Sequence, residues 1–313
     1  MSSPSAGCPA CGGPLEPEPQ LRGFDRLHGT PGSFEVRVCS ACGSGRTFPV
    51  VGAAELERFY PQSYDAYSLP PNTVARALAT ALFRWHYRRV LRRAPFRALR
   101  GSPPGRLLDV GAGRGDLATV LVARGWQVTG LEPSPEACEE GRRRGVRMVE
   151  GTLDSADPAE LGNEYDIVVF QHALEHVVEP RDDLLRAREL LREGGLVLVA
   201  LPNFGSWQSR RFGSAWFHLD LPRHRSHFTA AGLGRLLRES GFERAELTTA
   251  TTADGLPLSL QYRLFGQRRF RAGAGRYLTT AFSLALLPLT ALANAIGGGG
   301  DELGVSAARP DGG

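Results

Sequence analysis

The sequence predicts an α/β protein built on a doubly wound parallel sheet, and three observations carry that reading. Apolar stretches of strand length recur near 106–110, 126–131, 146–150, 165–171 and 196–201, with segments of helical periodicity between them. The first runs directly into a glycine-rich turn in RLLDVGAGRGD, residues 106–116. A chain of 313 residues is also long enough for one large domain with additions, by the loose rule of about 150 residues per domain.

Gly111, Gly113 and Gly115 lie two apart, so the backbone can bend sharply after the first strand and approach a ligand that a β-carbon would repel. Asp109 stands at that strand's exit as a hydrogen-bond acceptor. A turn of the pattern G-x-G-x-x-G needs its third glycine at position 116, where the chain has Asp116, and this disfavours a pyrophosphate. Glu132 follows the second strand, WQVTGL, where a ribose diol would need an acceptor. Two acids around a glycine turn suit a nucleoside without phosphates. In such a sheet, ligands sit beyond the carboxyl ends of the strands. A sixth strand is expected near 243–252 after a helix at 229–240, and a seventh in DELGVSA, 301–307.

Composition narrows the function classes less sharply. Lys and Arg number 37 against 33 Asp and Glu, a net charge of +4, which does not by itself nominate nucleic acid. The start, MSSPSAGCPACGG, lacks a cationic n-region and an apolar h-region, so a cytoplasmic location is expected. Residues 1–50 are poor in aliphatics and rich in Gly and Pro, a composition that needs a staple to fold. Cys8 with Cys11 and Cys39 with Cys42 form two C-x-x-C knuckles, each followed by glycine, the arrangement of a tetrahedral zinc ribbon. A purely structural zinc is favoured over a catalytic metal, with a redox pair as the third reading.

Residues 51–104 read as a polar and aromatic connector followed by an amphipathic helix, TVARALATALFRWHYRRVLRRAPFRAL, which Asn72 can cap. Its arginines at 84, 88, 89, 92 and 93 fit a solvated face better than a grip on nucleic acid or anionic lipid. Residues 256–300 form an apolar helical insertion in which 277–297 carry no charge, about the length that crosses a bilayer. A single crossing would strand the last strand on the wrong side of the membrane. A helical hairpin on the membrane, with Arg263, Arg268, Arg269, Arg271 and Arg276 facing headgroups, stands level with a buried helix or a dimer face.

DVGAGRG followed by LEPS resembles motif I and the acidic second strand of class I S-adenosylmethionine-dependent methyltransferases. VRMVEGTLDS at 146–155, YDIVVFQHALEHVVEP at 165–180, LLREGGLVLVALPNFGS at 190–206 and LPRHRSHFT at 221–229 follow in that family's order. The LEHV and GG-L-x-L-x-x-P-N strings resemble the branch with quinone O-methyltransferases and surface-glycan methyltransferases. The N-terminal module is similar to a small zinc-binding unit ahead of some sugar methyltransferases. The resemblance implies a seven-stranded Rossmann-like sheet with its core in 105–255, and a last strand, within 301–313, antiparallel beside the fifth. It implies S-adenosylmethionine held by Asp109, Gly111, Ala112, Gly113, Gly115 and Pro133, with Glu132 at the ribose, Leu153 at the adenine, and Gln171 and His172 at the methionine part.

Methyl transfer from a sulfonium is an in-line displacement, so the protein must align the acceptor and, for a hydroxyl, remove a proton. His172, Glu175 and His176 after the fourth strand, and His218, His224 and His227 after the fifth, are the candidates, because imidazole titrates near neutrality. His224, His227 and His172 are the selected catalytic residues, while His176 is expected to pack structurally. Quinone-type relatives usually carry an acid at position 172, where an acid, acid, His cluster can hold a divalent ion, and a catalytic metal is left unassigned here. Trp216 and Phe217 suit a flat acceptor and loop packing equally, and Cys138 reads as core. The expected function is methylation of a small-molecule, glycan or lipid-linked acceptor, with peripheral membrane contact through 256–300 and the oligomeric state open. An RNA methyltransferase using the ribbon and the Arg-rich helix is the first rival, disfavoured by the missing N-P-P-Y tetrad. A binding protein that kept the fold and lost the chemistry is the second.

Overall fold

The computed structural model describes residues 7–60, 87–269 and 274–311. Eleven strands form in them: β1 Leu21–Gly23, β2 Phe34–Val38, β3 Gly45–Phe48, β4 Arg106–Val110, β5 Gln127–Glu132, β6 Arg147–Glu150, β7 Tyr165–Gln171, β8 Leu191–Pro202, β9 Ser226–His227, β10 Glu243–Ala250 and β11 Glu302–Ala308.

The larger sheet has seven strands in the order β10-β11-β8-β7-β4-β5-β6. Neighbours from β8 to β6 are parallel, whereas β11 runs antiparallel to both β8 and β10. The expected seven strands and the antiparallel last strand beside the fifth are therefore present. Central strands read as unbroken apolar runs because helices cover both faces of the sheet: Leu107, Leu108, Val168, Val169 and Val197 through Leu201 are all buried. Helix starts are fixed locally. Ser134 accepts from the Ala137 N–H at 3.2 Å ahead of Pro135, which opens the helix Pro135–Arg143, and Thr229 accepts from the Gly232 N–H at 3.1 Å to open Ala230–Glu239. Strand order reverses between β4 and β7, and the crevice at their carboxyl ends is the position for a ligand.

Two local expectations change. Strand β8 begins at Leu191 rather than near 196, because Leu191 pairs with Tyr165 before the register slips. The helix expected through residue 99 has Asn72 and Arg84 outside the described residues, and from Tyr87 it ends at Val90. Pro95, with no N–H to donate, falls in the turns that follow, and Arg93 donates to the Thr251 carbonyl at 2.9 Å instead of lining an open face. Arg271 and the side chain of Arg276 also lie outside the described residues.

The smaller sheet has four strands, β1-β2-β3-β9, and its fourth strand comes from the stretch 221–229 of the large domain. Gly45 pairs with His227 and Arg46 with Ser226. Side chains reinforce this shared sheet. Buried Arg46 donates to the Gly7 carbonyl at 3.1 Å, the Val178 carbonyl at 3.2 Å and Glu179 at 3.3 Å. Thr229 donates to the Cys42 carbonyl at 2.6 Å.

Deepest in this junction lies Arg223, with no exposed surface. Its Nη2 donates to Asp25 at 2.7 Å and to Asp220 at 2.6 Å, its Nε to Asp220 at 2.9 Å, and its Nη1 to the Phe59 carbonyl at 2.9 Å. Asp25 additionally accepts backbone N–H groups of Leu27, His28 and Thr30 at 3.0 to 3.1 Å. Burial alone would raise the Asp25 carboxyl, but Arg223 and these N–H groups hold it below the usual carboxylate range. Removing one member of such a network leaves an uncompensated charge in the interior. Arg223→Met is therefore expected to destabilise the protein by about 3 to 5 kcal/mol. Urea denaturation measures it, and a variant as stable as the parent would contradict the junction's assigned weight.

Candidate active site

The turn after β4 is built on left-handed backbone at Gly111 (φ 70°), Gly113 (φ 54°) and Gly115 (φ 74°). A β-carbon on Gly111 would stand 2.7 Å from that of Ala173, so only glycine fits between the two crossovers. Glu132, at the end of β5, is buried and laces this turn to the next: Oε2 accepts from the Gly113 N–H at 2.9 Å and Oε1 from the Ser134 N–H at 3.0 Å. Asp109 is buried beneath the turn. Desolvation, with the Glu132 charge nearby, lifts its carboxyl to about 7.

Ala112 and Gln171 are half-buried, Pro133 is exposed just beyond Glu132, and Leu153 packs into the core after β6. All lie at or just beyond the carboxyl ends of β4, β5, β6 and β7. The glycine cradle and the anionic Glu132 carboxylate fit a nucleoside carrying a diol, because a carboxylate that accepts two N–H bonds retains lone pairs for hydroxyl donors.

His172 sits at the exit of β7 with φ 51°, an uncommon backbone for a residue with a β-carbon. Its Nε2 lies 2.9 Å from Glu302 and its Nδ1 3.4 Å from Glu175. Burial opposes a charge there, but the two carboxylates outweigh it and raise the imidazole to about 10. His172 is thus a cation at neutral pH.

One turn on, Glu175 is buried and neither of its carboxylate oxygens has a hydrogen-bond partner. Against the desolvation cost, the interaction with His172 keeps it ionised, down to about 2, and His176 and His224 add to this only when they are themselves protonated. His224 donates from Nδ1 to the His218 carbonyl at 2.9 Å, which fixes the tautomer and leaves Nε2 as the acceptor. That Nε2 stands 3.9 Å from both Glu175 and Asp220. Burial lowers His224 below the ordinary imidazole value, and burial, joined by repulsion from His224 when both rings are protonated, lowers His176 to about 4. The rings of His176 and His224 meet edge to face at 4.6 Å. Ligand atoms of Glu175, His176 and His224 lie within 4.8 Å of one another, so this cluster has the donors for a divalent ion as well as for a proton.

His227 and His218 are placed elsewhere. His227, lowered to about 3 by burial and by His224, has its Nε2 2.9 Å from the Thr47 hydroxyl and packs on Phe204. His218 binds Asp301 and Thr252 at 3.1 and 3.0 Å. Trp216 is buried against Phe204, so it packs the loop, and Phe217 lies on Tyr262. Cys138 is core, as its place in the sequence suggests.

The four N-terminal cysteines meet at one point. Cys8 and Cys42 sulfurs are 3.5 Å apart, Cys11 and Cys39 3.6 Å, and all four lie within 4.8 Å. Tetrahedral zinc with bonds of about 2.3 Å sets its sulfurs about 3.8 Å apart, so the cluster fits that ion.

Four residues at the site have no local sequence signature. Tyr60 bonds His176 Nδ1 at 3.0 Å, Thr47 donates to the His224 carbonyl at 2.7 Å, Glu302 clamps His172, and Asp25 anchors Arg223. They come from the ribbon, the connector and the last strand, far in sequence from the histidines. The one signal that pointed toward them is Arg223 itself, set between His218 and His224 in a stretch singled out for its histidines.

Comparison with known proteins adds independent findings. A family described as a methyltransferase domain matches residues 83–247. Ubiquinone biosynthesis O-methyltransferase of Thiobacillus denitrificans is 31% identical over 170 residues, covering 51% of this chain and 72% of that protein. The enzyme of the same name from Aromatoleum aromaticum is 31% identical over 153 residues, covering 45% of this chain and 65% of its own length. A solved S-adenosylmethionine-dependent methyltransferase from Archaeoglobus fulgidus aligns with 74% of this chain and 94% of its own at 16% identity and a TM-score of 0.48.

Proposed function

The chain belongs to the methyltransferase-domain family, within the class I enzymes that use S-adenosylmethionine, and on that premise we propose that it methylates a hydroxyl of a small-molecule, glycan or lipid-linked acceptor, with His224 receiving the proton. The observation that carries this reading is the placement of His224, whose Nδ1 is engaged by the His218 carbonyl and whose Nε2 stands 3.9 Å from the buried carboxylate of Glu175. The O-methyltransferase names of the relatives support oxygen as the methylated atom.

In this reading the turn from Gly111 to Gly115, with Asp109 beneath it, holds the amino-acid end and nucleoside of S-adenosylmethionine, and Glu132 accepts from the ribose hydroxyls. Leu153 lies at the adenine, Pro133 beside the ribose, and Gln171 and His172 at the methionine part. When bound, S-adenosylmethionine supplies an electrophilic methyl group. His172, already protonated and gripped by two carboxylates, serves as a fixed cation and is poorly suited to accept a proton. His224 is suited to it: it is neutral at pH 7, and Glu175 and Asp220 stand ready to stabilise the imidazolium that forms. His227, sealed by Thr47 and Phe204, holds the loop in place. The four cysteines would hold one structural zinc, which would fix β3 and, through β3, the strand β9 that follows His224.

Four measurements test this. Glu132→Ala is expected to weaken S-adenosylmethionine binding by about 1 to 3 kcal/mol, the range for lost hydrogen bonds to a charged group; unchanged affinity by calorimetry removes the ribose assignment. His224→Gln should lower kcat by about 100- to 10,000-fold while leaving donor affinity intact. Because His224 must be unprotonated and its pKa lies below the ordinary value, the parent's rate should be flat through neutrality and fall only below about pH 6.5. A variant at the parental rate would sink the assignment. Elemental analysis should find one zinc per chain, and a metal-free protein with an ordered ribbon would exclude a structural zinc.

A further inference from the structure

The helix Ala274–Ile296 is amphipathic the wrong way round for a soluble protein. Ser283, Thr290 and Asn294, at helical spacing, are its buried stripe, with exposures of 0%, 0% and 2%. Phe282, Leu289, Leu292 and Ile296 form the opposite stripe and are 58% to 80% exposed. Polar groups therefore face the protein while large apolar groups face out. The residues Thr279–Ile296 have a mean hydropathy of 1.5, and the preceding helix, Gly255–Phe265, extends the outward apolar surface with Leu264 and Phe265.

Asn294 bolts the C-terminal end of the inner stripe to the body. Asn294 Oδ1 accepts from Trp207 Nε1 and Gln208 Nε2, each at 2.8 Å, and its Nδ2 donates to Asp301 at 2.9 Å. Asp301 leads directly into β11, which is paired on both edges, so this helix cannot cross a bilayer without pulling the last strand from the sheet. It lies along the molecule. The earlier helix is fixed to the loop that carries the histidines: the Phe217 N–H donates to Ser259 Oγ at 2.9 Å, and the Phe217 and Tyr262 rings are 5.9 Å apart.

Charge identifies what covers the apolar face. From Gly255 to Gly300 the chain has no Asp or Glu, while arginine occurs at 263, 268, 269, 271 and 276. Arg263 and Arg269 are exposed, and Arg269 lies over the Phe265 ring at 4.6 Å, at the margin of the apolar surface. A two-fold contact between two copies would set this cationic margin against itself with no acid in the segment to pair it. A surface of anionic headgroups over acyl chains matches both features. We propose that the face formed by the helices Gly255–Phe265 and Ala274–Ile296 seats on an anionic lipid bilayer, with the second helix lying in the interface plane. The seat goes beyond the methyltransferase reading and does not depend on it; if that reading holds, it brings the His224 loop to the membrane, where a lipid-linked acceptor would be presented.

Co-sedimentation of the full-length protein with vesicles tests the seat. Binding to phosphatidylcholine vesicles containing phosphatidylglycerol is expected, falling by about tenfold or more on pure phosphatidylcholine or in high salt. Leu289→Glu with Leu292→Glu and Ile296→Glu should abolish the binding while S-adenosylmethionine affinity, read separately by calorimetry, stays at the parental value. Arg263→Glu with Arg269→Glu should remove the preference for anionic vesicles without touching the apolar face. A parent that ignores both vesicle types, or a triple variant that still binds, overturns the proposal. So does a parental dimer in analytical ultracentrifugation that the triple variant dissolves, which would assign the face to a second copy. Failure of the parent to bind S-adenosylmethionine would count against the enzymatic reading and leave the vesicle result to stand alone.

Discussion

Arg223 is a guanidinium with no contact to water, held between Asp25 from the ribbon and Asp220 from the loop after β8. A buried ion costs several kcal/mol of desolvation unless its donors are filled by well-placed partners, and here two carboxylates and a backbone carbonyl do so. The consequence is positional. His224 follows Arg223 directly, and the Arg223 carbonyl itself lies 3.1 Å from His176 Nδ1. The ion pair therefore fixes two of the three imidazoles that face Glu175, His176 and His224. The N-terminal module is in this sense a wall of the candidate site: β3 pairs with β9 on one side of His224, and Asp25 holds Arg223 on the other.

The division of charge around Glu175 follows from that rigidity. A single buried carboxylate faces three imidazoles, and the three differ in what else they touch. His172 has a second carboxylate, Glu302, and stays protonated. His176 has a tyrosine hydroxyl and a carbonyl, and burial keeps it neutral. His224 has a carbonyl at Nδ1, and its Nε2 stands 3.9 Å from both Glu175 and Asp220. Three residues of one chemical type thus divide into one cation and two neutral rings through their neighbours alone.

Much of the architecture was legible in the sequence because it rests on short-range patterns. The run from Arg106 to Asp116 states its strand, its turn and its glycines in eleven consecutive positions, and C-x-x-C spacing announces a thiolate cluster without reference to anything distant. The strand alternation gave the seven strands, and the uncharged run before β11 gave the long helix. What stayed hidden depends on contacts across the chain. Nothing near His172 in sequence says that Glu302, 130 positions away, will clamp it, and nothing in the ribbon says that Thr47 will meet His224 and His227. Histidines at 172, 224 and 227 look alike in one dimension, and only packing separates a cation, a neutral imidazole with a free nitrogen and a sealed one. The inverted helix shows the same limit from the other side: Ser283, Thr290 and Asn294 look like dilution of an apolar run until the fold turns them inward.

The chemistry of the candidate site turns on the state of one ring. Long-range nitrogen-15 NMR of the histidine side chains at pH 7, with His224 assigned by comparison with His224→Gln, reads that state directly. The prediction is a neutral His224 carrying its proton on Nδ1, with Nε2 unprotonated and facing Glu175. An imidazolium at that pH, or a proton resident on Nε2, would contradict it.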